Sequence, residues 1–328
     1  MSNFIGLYYR PEQWVQARQQ YAENEALQTA FTQLSQQNAA PLHPLLQAAT
    51  LARWQEDAAQ AQAIYTEWLK LDAQGIWQAE NEADWLDLWC TLAQVDALAD
   101  FSAVHAKPLR AALLAHVPAV AHKLQDGLNA WQASIGKAAF ISLPDAEALT
   151  LSLRWMHLGA CLAALGANDL LDPVQALYQQ VIDQHVHPEG YLRPLVENKQ
   201  AGTFERLYEG IRALALTAIV AQGAGRDLWR YENRGVAVTT AVAYMVYYYF
   251  YPEKWRWEAQ LDAEQVKARY HQRGAYFDLT NARTILRNMA PLLAELRPCC
   301  DLTGGGYATL LCASKAPTPA KKGWRLFG

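Results

Sequence analysis

The chain has 328 residues and a formal net charge of −4; 52% of its residues are hydrophobic and 18% are charged. The apolar content suffices for a large buried core, and no basic run is long enough to bind nucleic acid. Ala, Leu, Gln and Glu dominate long stretches, whereas residues that favour strands are few. We therefore predict a globular all-α protein without a nucleic-acid partner.

In the first half of the chain, helices are predicted where apolar residues recur three or four positions apart. Pro11 suits the first turn of a helix, which we expect to extend to about Gln37 before Pro41 and Pro44 interrupt the pattern. The helices predicted after it cover residues 45–54, 58–71, 82–98 and 108–124.

In the second half, residues 185–203 are rich in Pro, Gly and charge and predict a long loop. The predicted helices on either side of it cover residues 145–165, 172–184, 204–220, 231–250 and 281–296. Helices joined by short turns favour pairs stacked into a ring or solenoid, although no fixed sequence period indicates a repeat array. We predict one domain, 1–313, followed by a flexible tail, 314–328.

The cysteines and the N-terminal segment indicate a cellular compartment. The chain has five cysteines and no Cys-x-x-Cys pair, which points to reducing surroundings. The first residues lack the basic start and apolar run of a signal peptide. The most apolar stretch, 237–251, is too short to span a bilayer. These features predict a cytoplasmic protein that does not associate with a membrane.

Neither a metal nor a cofactor is predicted. His185 and His187 lie one residue apart, but no third ligand follows at a recognisable spacing. The run Gly304-Gly305-Gly306 is not a phosphate-binding loop, since no strand precedes it and no Gly-Lys-Ser/Thr follows.

The tail ends in an aromatic and basic segment that contains Trp324, Leu326 and Phe327. Two interpretations are open. The segment is a disordered end, or it docks onto a protein partner.

Several segments carry a family resemblance. One run extends from Pro188-Glu189-Gly190 through Gly225-Arg226-Asp227-Leu228-Trp229 to Pro252-Glu253-Lys254-Trp255, and a Gly-rich segment from Asp301 to Leu311 follows it. Together with an early helix pair at 44–69, these segments resemble the alginate lyase family in order and spacing over roughly two thirds of the chain. The resemblance implies an incomplete (α/α) toroid of stacked helical hairpins. Members of that family are usually exported, unlike the compartment predicted above.

The family cleaves uronate polymers by β-elimination. A base removes the C5 proton, an acid serves the leaving O4 oxygen, and cationic or polar donors neutralise the uronate carboxylate. The resemblance implies Tyr208 as acid/base, with Arg206 and Lys199 neutralising the carboxylate. His157 is a further catalytic candidate, although a histidine in such a helix is more often a packed residue.

The same resemblance implies a substrate-binding cleft at Trp155, Glu197, Tyr244 and Tyr248. The two tyrosines belong to the Tyr-rich segment 244–251, which is either a stacking platform for sugars or a helix packed in the ring interior. The family's Asn-His pair, by contrast, falls on Leu151 and Ser152, and an ungapped count places its catalytic Tyr on Arg206. The catalytic positions are therefore altered relative to the family.

Three functional hypotheses follow from the sequence. The first is a lyase-like protein that acts on or binds an acidic, uronate-containing polysaccharide or oligosaccharide, by β-elimination if it is active. The second is a catalytically inactive glycan-binding protein with the same cleft. The third is a helical scaffold that docks a partner through its tail.

Overall fold

The computed structural model describes residues 4–36, 43–73, 81–100, 107–135, 145–197, 201–258 and 261–312. The chain is mostly helical, which confirms the predicted all-α class. Lys199 and the tail residues Trp324, Leu326 and Phe327 lie outside the described residues. Within those residues, every helix is too short or too polar to cross a bilayer.

The helices of the first half are α1 (Pro11–Gln20), α2 (Glu25–Gln36), α3 (His43–Gln55), α4 (Ala58–Ala73), α5 (Glu82–Ala99), α6 (Lys107–Leu114) and α7 (Val117–Ile135). Those of the second half are α8 (Ala146–Ala164), α9 (Leu171–Gln184), α10 (Arg193–Val196), α11 (Thr203–Gly223), α12 (Val238–Phe250), α13 (Ala263–Arg273), α14 (Ala275–Asn281), α15 (Met289–Leu296) and α16 (Ala308–Cys312). Two short antiparallel strands, β1 (Glu232–Asn233) and β2 (Val236–Ala237), pair between α11 and α12.

The predicted helix 231–250 is wrong at its N-terminal end. The strands β1 and β2 occupy the first part of this range, and the turn between them contains Arg234 and Gly235, both with positive φ (54° and 79°). Two consecutive residues with positive φ are typical of the tight turns that join antiparallel strands. The sequence Asn233-Arg234-Gly235 was the available signal for this turn.

Other predicted helices are interrupted as well. The first breaks after Gln20, and Asn24 then caps α2 by accepting a hydrogen bond from the Leu27 amide at 3.2 Å. Residues 108–124 divide between α6 and α7. Of the predicted helix 281–296, the second half is helical and forms α15. Asn288, immediately before α15, has φ 63°, a value that does not occur within an α-helix. Finally, α10 lies in the predicted loop, and α13 was not predicted at all.

Helix α8 lies at the centre of the packing. It contacts α5, α7, α9 and α11 and has buried residues on all of its faces, including Leu153, Met156 and Leu158. A helix that is apolar all round is expected where neighbours surround it. Helices α3, α5, α8, α11, α14 and α16 pack one against the next, so they form one continuous packed series.

Candidate functional site

A groove with a volume of about 470 Å³ opens where α5, α8, α11 and α13 meet. We call it the arginine groove, because Arg154, Arg206, Arg269 and Arg273 line it together with carboxylates. Most of its lining comes from the first turns of α5, α8 and α11 and from the last turns of α13. Helix N-termini carry partial positive charge and C-termini partial negative charge, so the helix dipoles favour an anionic group on the α5, α8 and α11 side of the groove and disfavour it on the α13 side.

The sequence fixes these helix ends locally. Asn81 caps α5 by accepting a hydrogen bond from the Asp84 amide at 3.0 Å. Asp145 caps α8 in the same way. Asn and Asp are favoured at this position because their side-chain oxygens satisfy amides that have no partner within the helix.

Glu209 is the centre of the charged network behind the groove. Its side chain is 6% exposed and lies 3.4–3.7 Å from Arg154, Arg212, Arg269 and Arg273. These separations lie at or beyond the limit of ordinary hydrogen bonds, and Glu209 Oε1 has no hydrogen-bond partner among the described residues. The contacts of Glu209 with these arginines are therefore mainly electrostatic.

Asp87 and Glu205 complete the network at the groove. Asp87 accepts a hydrogen bond from Arg273 at 2.9 Å and lies 3.7 Å from Arg154, while Glu205 pairs with Arg269. Burial alone would raise the pKa of Asp87, but the surrounding arginines outweigh it and lower that pKa. Asp87 is therefore ionised at neutral pH.

Arg212 and Asp301 form the base of the network. The guanidinium of Arg212 donates two parallel hydrogen bonds to Asp301, at 2.7 and 2.8 Å, and also bonds the hydroxyl of Thr303. Burial would lower the pKa of Arg212, but Asp301 and Glu209 raise it well above its usual value. This buried pair joins α11 to the Gly-rich segment near the C-terminus.

The network as a whole is electrically balanced. Four arginines, Arg154, Arg212, Arg269 and Arg273, face four carboxylates, Asp87, Glu205, Glu209 and Asp301. The lining of the groove is balanced as well and offers both hydrogen-bond donors and acceptors: it contains Arg154, Arg206, Arg269, Arg273, Glu82, Glu147, Glu205 and Glu209. Such an array suits a ligand that carries both hydroxyl and carboxylate groups.

A second cavity of about 500 Å³ adjoins the arginine groove and shares Glu82 and Leu151 with it. Glu82 accepts hydrogen bonds from the Trp155 indole at 2.7 Å and from Lys123 at 2.9 Å. The hydrogen bonds from Lys123 and Trp155 lower the pKa of Glu82 against the opposing effect of burial. The two cavities form one longer surface with Glu82 between them.

No protein-family model, curated protein or solved structure matches this chain. The alginate lyase resemblance thus stays a prediction, and the arrangement of the side chains is the basis for inferring function.

The structure places the predicted catalytic residues apart. Tyr208 is fully buried among Phe204, Tyr270, Tyr276 and Phe277, and its hydroxyl has no hydrogen-bond partner among the described residues. Burial raises its pKa well above the usual value, so the phenol stays neutral. Although Arg206 and Tyr208 are two residues apart on α11, only Arg206 lines the groove, where it bonds the Ala201 carbonyl at 2.7 Å.

His157 also lies away from the groove. It is 3% exposed and is enclosed between Tyr8 and Cys90 in the core. Of the four predicted catalytic residues, Tyr208 and His157 are thus in the core, Arg206 is at the groove, and Lys199 is outside the described residues.

The predicted substrate-binding residues divide between two places. Trp155 lines the second cavity but is only 6% exposed and rests against Trp85, so it supports Glu82 and offers little ring surface to a ligand. Glu197 pairs with Arg193 at 3.1 Å instead of facing the groove.

Tyr244 and Tyr248 belong to a buried aromatic cluster. Their ring centroids lie 4.8 Å apart, Tyr248 contacts Trp255, and the Tyr244 hydroxyl accepts a hydrogen bond from Trp257 at 3.2 Å. Their rings are 9% and 7% exposed and line neither of the two cavities.

Sequence reasoning missed most of the arginine groove. Glu205 and Glu209 on α11, and Arg269 and Arg273 on α13, are each separated by four residues, the spacing that places side chains on one helix face. This spacing was the available signal. It went unused because α13 was not predicted, and the contacts of Asp87 and Arg154 with these residues cannot be deduced from local spacing.

Proposed function

We propose that the chain binds an acidic, uronate-containing oligosaccharide in the arginine groove. The observation that carries the proposal is the concentration of arginine and carboxylate side chains along one groove. Arginine suits the planar carboxylate of a uronate, and carboxylates such as Glu82 and Glu205 would accept hydrogen bonds from sugar hydroxyls. The three helix N-termini add a favourable field for the uronate charge.

Binding, and not β-elimination through the predicted residues, is the activity that this geometry supports. A neutral phenol enclosed in the core cannot reach the C5 proton or the leaving oxygen of a sugar in the groove. His157 is enclosed in the same way. We therefore favour a glycan-binding protein over an active lyase, and the incomplete (α/α) toroid remains part of this proposal, supported by the continuous series of packed helices.

Isothermal titration calorimetry with oligouronates of defined length tests the proposal. Arg269→Gln removes a partly exposed groove arginine, and hydrogen bonds to charged groups contribute about 1.5–3 kcal/mol each, so affinity should fall about tenfold or more. Arg230→Gln is the matched control, since Arg230 is 85% exposed and its ion pair among the described residues is with Asp227, on the short turn after α11. It makes the same change of charge away from the groove.

Three results would reject the proposal. One is the absence of binding heat with every oligouronate. The second is equal affinity for a neutral oligosaccharide of the same length, and the third is unchanged affinity in Arg269→Gln. Ultraviolet absorbance of unsaturated uronate in the same samples checks for elimination, which we expect to be absent.

A further inference from the structure

A buried cluster of metal-ligand side chains lies in the core, apart from the arginine groove. It consists of Cys90 on α5 and His157 and Cys161 on α8. His157 and Cys161 are one helical turn apart and therefore share a face of α8. All three side chains are buried, and their ligand atoms lie within 4.8 Å of one another.

The separations resemble those of a tetrahedral zinc centre. Cys90 Sγ lies 3.6 Å from His157 Nδ1. With zinc–sulfur and zinc–nitrogen bonds of about 2.3 and 2.0 Å, two ligands of a tetrahedral ion are about 3.5 Å apart. Small movements of the cysteine side chains would therefore bring all three atoms to bonding distance of one ion.

Tyr8 orients the histidine for this role. Its hydroxyl lies 3.0 Å from His157 Nε2, on the opposite edge of the ring from Cys90. When Nε2 carries the proton and donates it to Tyr8, the lone pair of Nδ1 points towards the two cysteines. Metal-bound histidines regularly donate their second N–H group to an oxygen acceptor of this kind.

We propose that Cys90, His157 and Cys161 bind one Zn²⁺ ion that joins α5 to α8. This inference departs from the sequence prediction of no metal. On binding, the two thiols release two protons to the solvent, the hydrated ion loses the water molecules that the three side chains replace, and two zinc–sulfur bonds and one zinc–nitrogen bond form. The charges of the two thiolates balance that of the ion. One of the ion's original water molecules would remain as the fourth ligand, which gives three protein ligands and one water.

Other interpretations are weaker on the same observations. Within the part of the chain that the structure describes, no second group of three His, Cys, Asp or Glu side chains is close enough to share an ion. Tyr8 and Cys90 alone would satisfy both ring nitrogens of a packed histidine, but that interpretation leaves the third member of the cluster, Cys161, as packing only. The role of the proposed zinc ion is structural, because the cluster is buried and substrates cannot reach it.

The test uses the full chain, refolded under a phosphine reductant with either Zn²⁺ or Co²⁺ and then desalted. We expect about one Zn²⁺ per chain by elemental mass spectrometry. The Co²⁺ form should show sulfur-to-cobalt charge transfer and the visible bands of a tetrahedral ion. Cys161→Ala should weaken Co²⁺ binding at least tenfold, whereas Cys299→Ala, which removes another buried thiol, should leave it unchanged.

X-ray absorption spectroscopy of the wild-type zinc form identifies the ligand atoms directly, so the test does not depend on whether the variants fold. We expect a first shell of two sulfur and two nitrogen or oxygen atoms. Less than a tenth of an equivalent of metal in the folded, reduced protein would overturn the proposal. A first shell of nitrogen and oxygen only, or full binding by folded Cys161→Ala, would overturn it as well.

Discussion

Replacing Arg212 by Met tests how strongly the buried ion pair beneath the arginine groove holds the fold. The side chains of Arg212 and Asp301 are 3% and 2% exposed. Met fills part of the volume of Arg212 but donates no hydrogen bond. In Arg212→Met, the donors left to the Asp301 carboxylate among the described residues are the amide and hydroxyl of Thr303, and Glu209 loses one of its four arginines.

The expected loss is large because a buried charge is left without its partner. Breaking a buried pair in this way costs about 3–5 kcal/mol, which is a large part of the 5–15 kcal/mol typical of a folded protein. Removing both charges is less harmful, so Arg212→Met combined with Asp301→Asn should be more stable than Arg212→Met alone. The uncompensated carboxylate should also take up a proton, so the loss should be smaller at pH 5 than at pH 8.

Urea denaturation followed by circular dichroism measures these differences at both pH values. Arg230→Met is the control, because its exposed ion pair contributes little. A loss below about 1 kcal/mol in Arg212→Met would refute the reasoning. A double variant, Arg212→Met with Asp301→Asn, that is less stable than Arg212→Met alone would also refute it. That result would mean that Asp301 stabilises the core even without its arginine.

Three further predictions concern the core and the loops. Tyr208→Phe should not reduce stability, since it removes a hydroxyl without a described partner, whereas Tyr270→Phe should cost about 1 kcal/mol because its hydroxyl donates to a backbone carbonyl at 2.7 Å; urea denaturation compares the two. Burial, aided by Arg193, lowers the pKa of His185 to about 4, below its unfolded value of about 6.5. The stability gained from neutral His185 is therefore present above about pH 6.5 and lost as the pH falls through 4, by up to about 1.4 kcal/mol per pH unit. His185→Asn should flatten this dependence, and an equally steep acid loss in the variant would count against it. Gly190→Ala should be more destabilising than Gly166→Ala, because both have positive φ (109° and 122°) but only at Gly190 would a Cβ lie 2.5 Å from the backbone of α12; equal melting temperatures would contradict this.

The helical class could be predicted because periodicity and capping are local. Helices α5 and α8 follow directly from their apolar spacing and from Asn81 and Asp145. The strands β1 and β2 were missed because Tyr231, Val236 and Ala237 continue the apolar pattern of α12. The positive φ values of Arg234 and Gly235, which mark the turn between the strands, are seen only in the backbone.

The candidate site was less accessible to sequence reasoning. The family resemblance pointed to Tyr208 and Arg206, which are two residues apart on α11. This spacing places them on different faces of the helix, so Tyr208 lies in the core and Arg206 lines the groove. Helix α13 has few apolar residues to reveal it, yet it supplies Arg269 and Arg273. Contacts between residues far apart in the chain, such as Arg273 with Asp87, depend on tertiary packing.

The most direct test of the central claim is a crystal structure of the protein with a bound oligouronate. Glycan binding in the arginine groove predicts sugar density between Glu82 and Arg269, with a uronate carboxylate within hydrogen-bond distance of Arg269 or Arg273. Sugar bound elsewhere, for example beside the aromatic cluster of Tyr244 and Trp257, with the groove arginines still paired only with Glu205, Glu209 and Asp87, would contradict it.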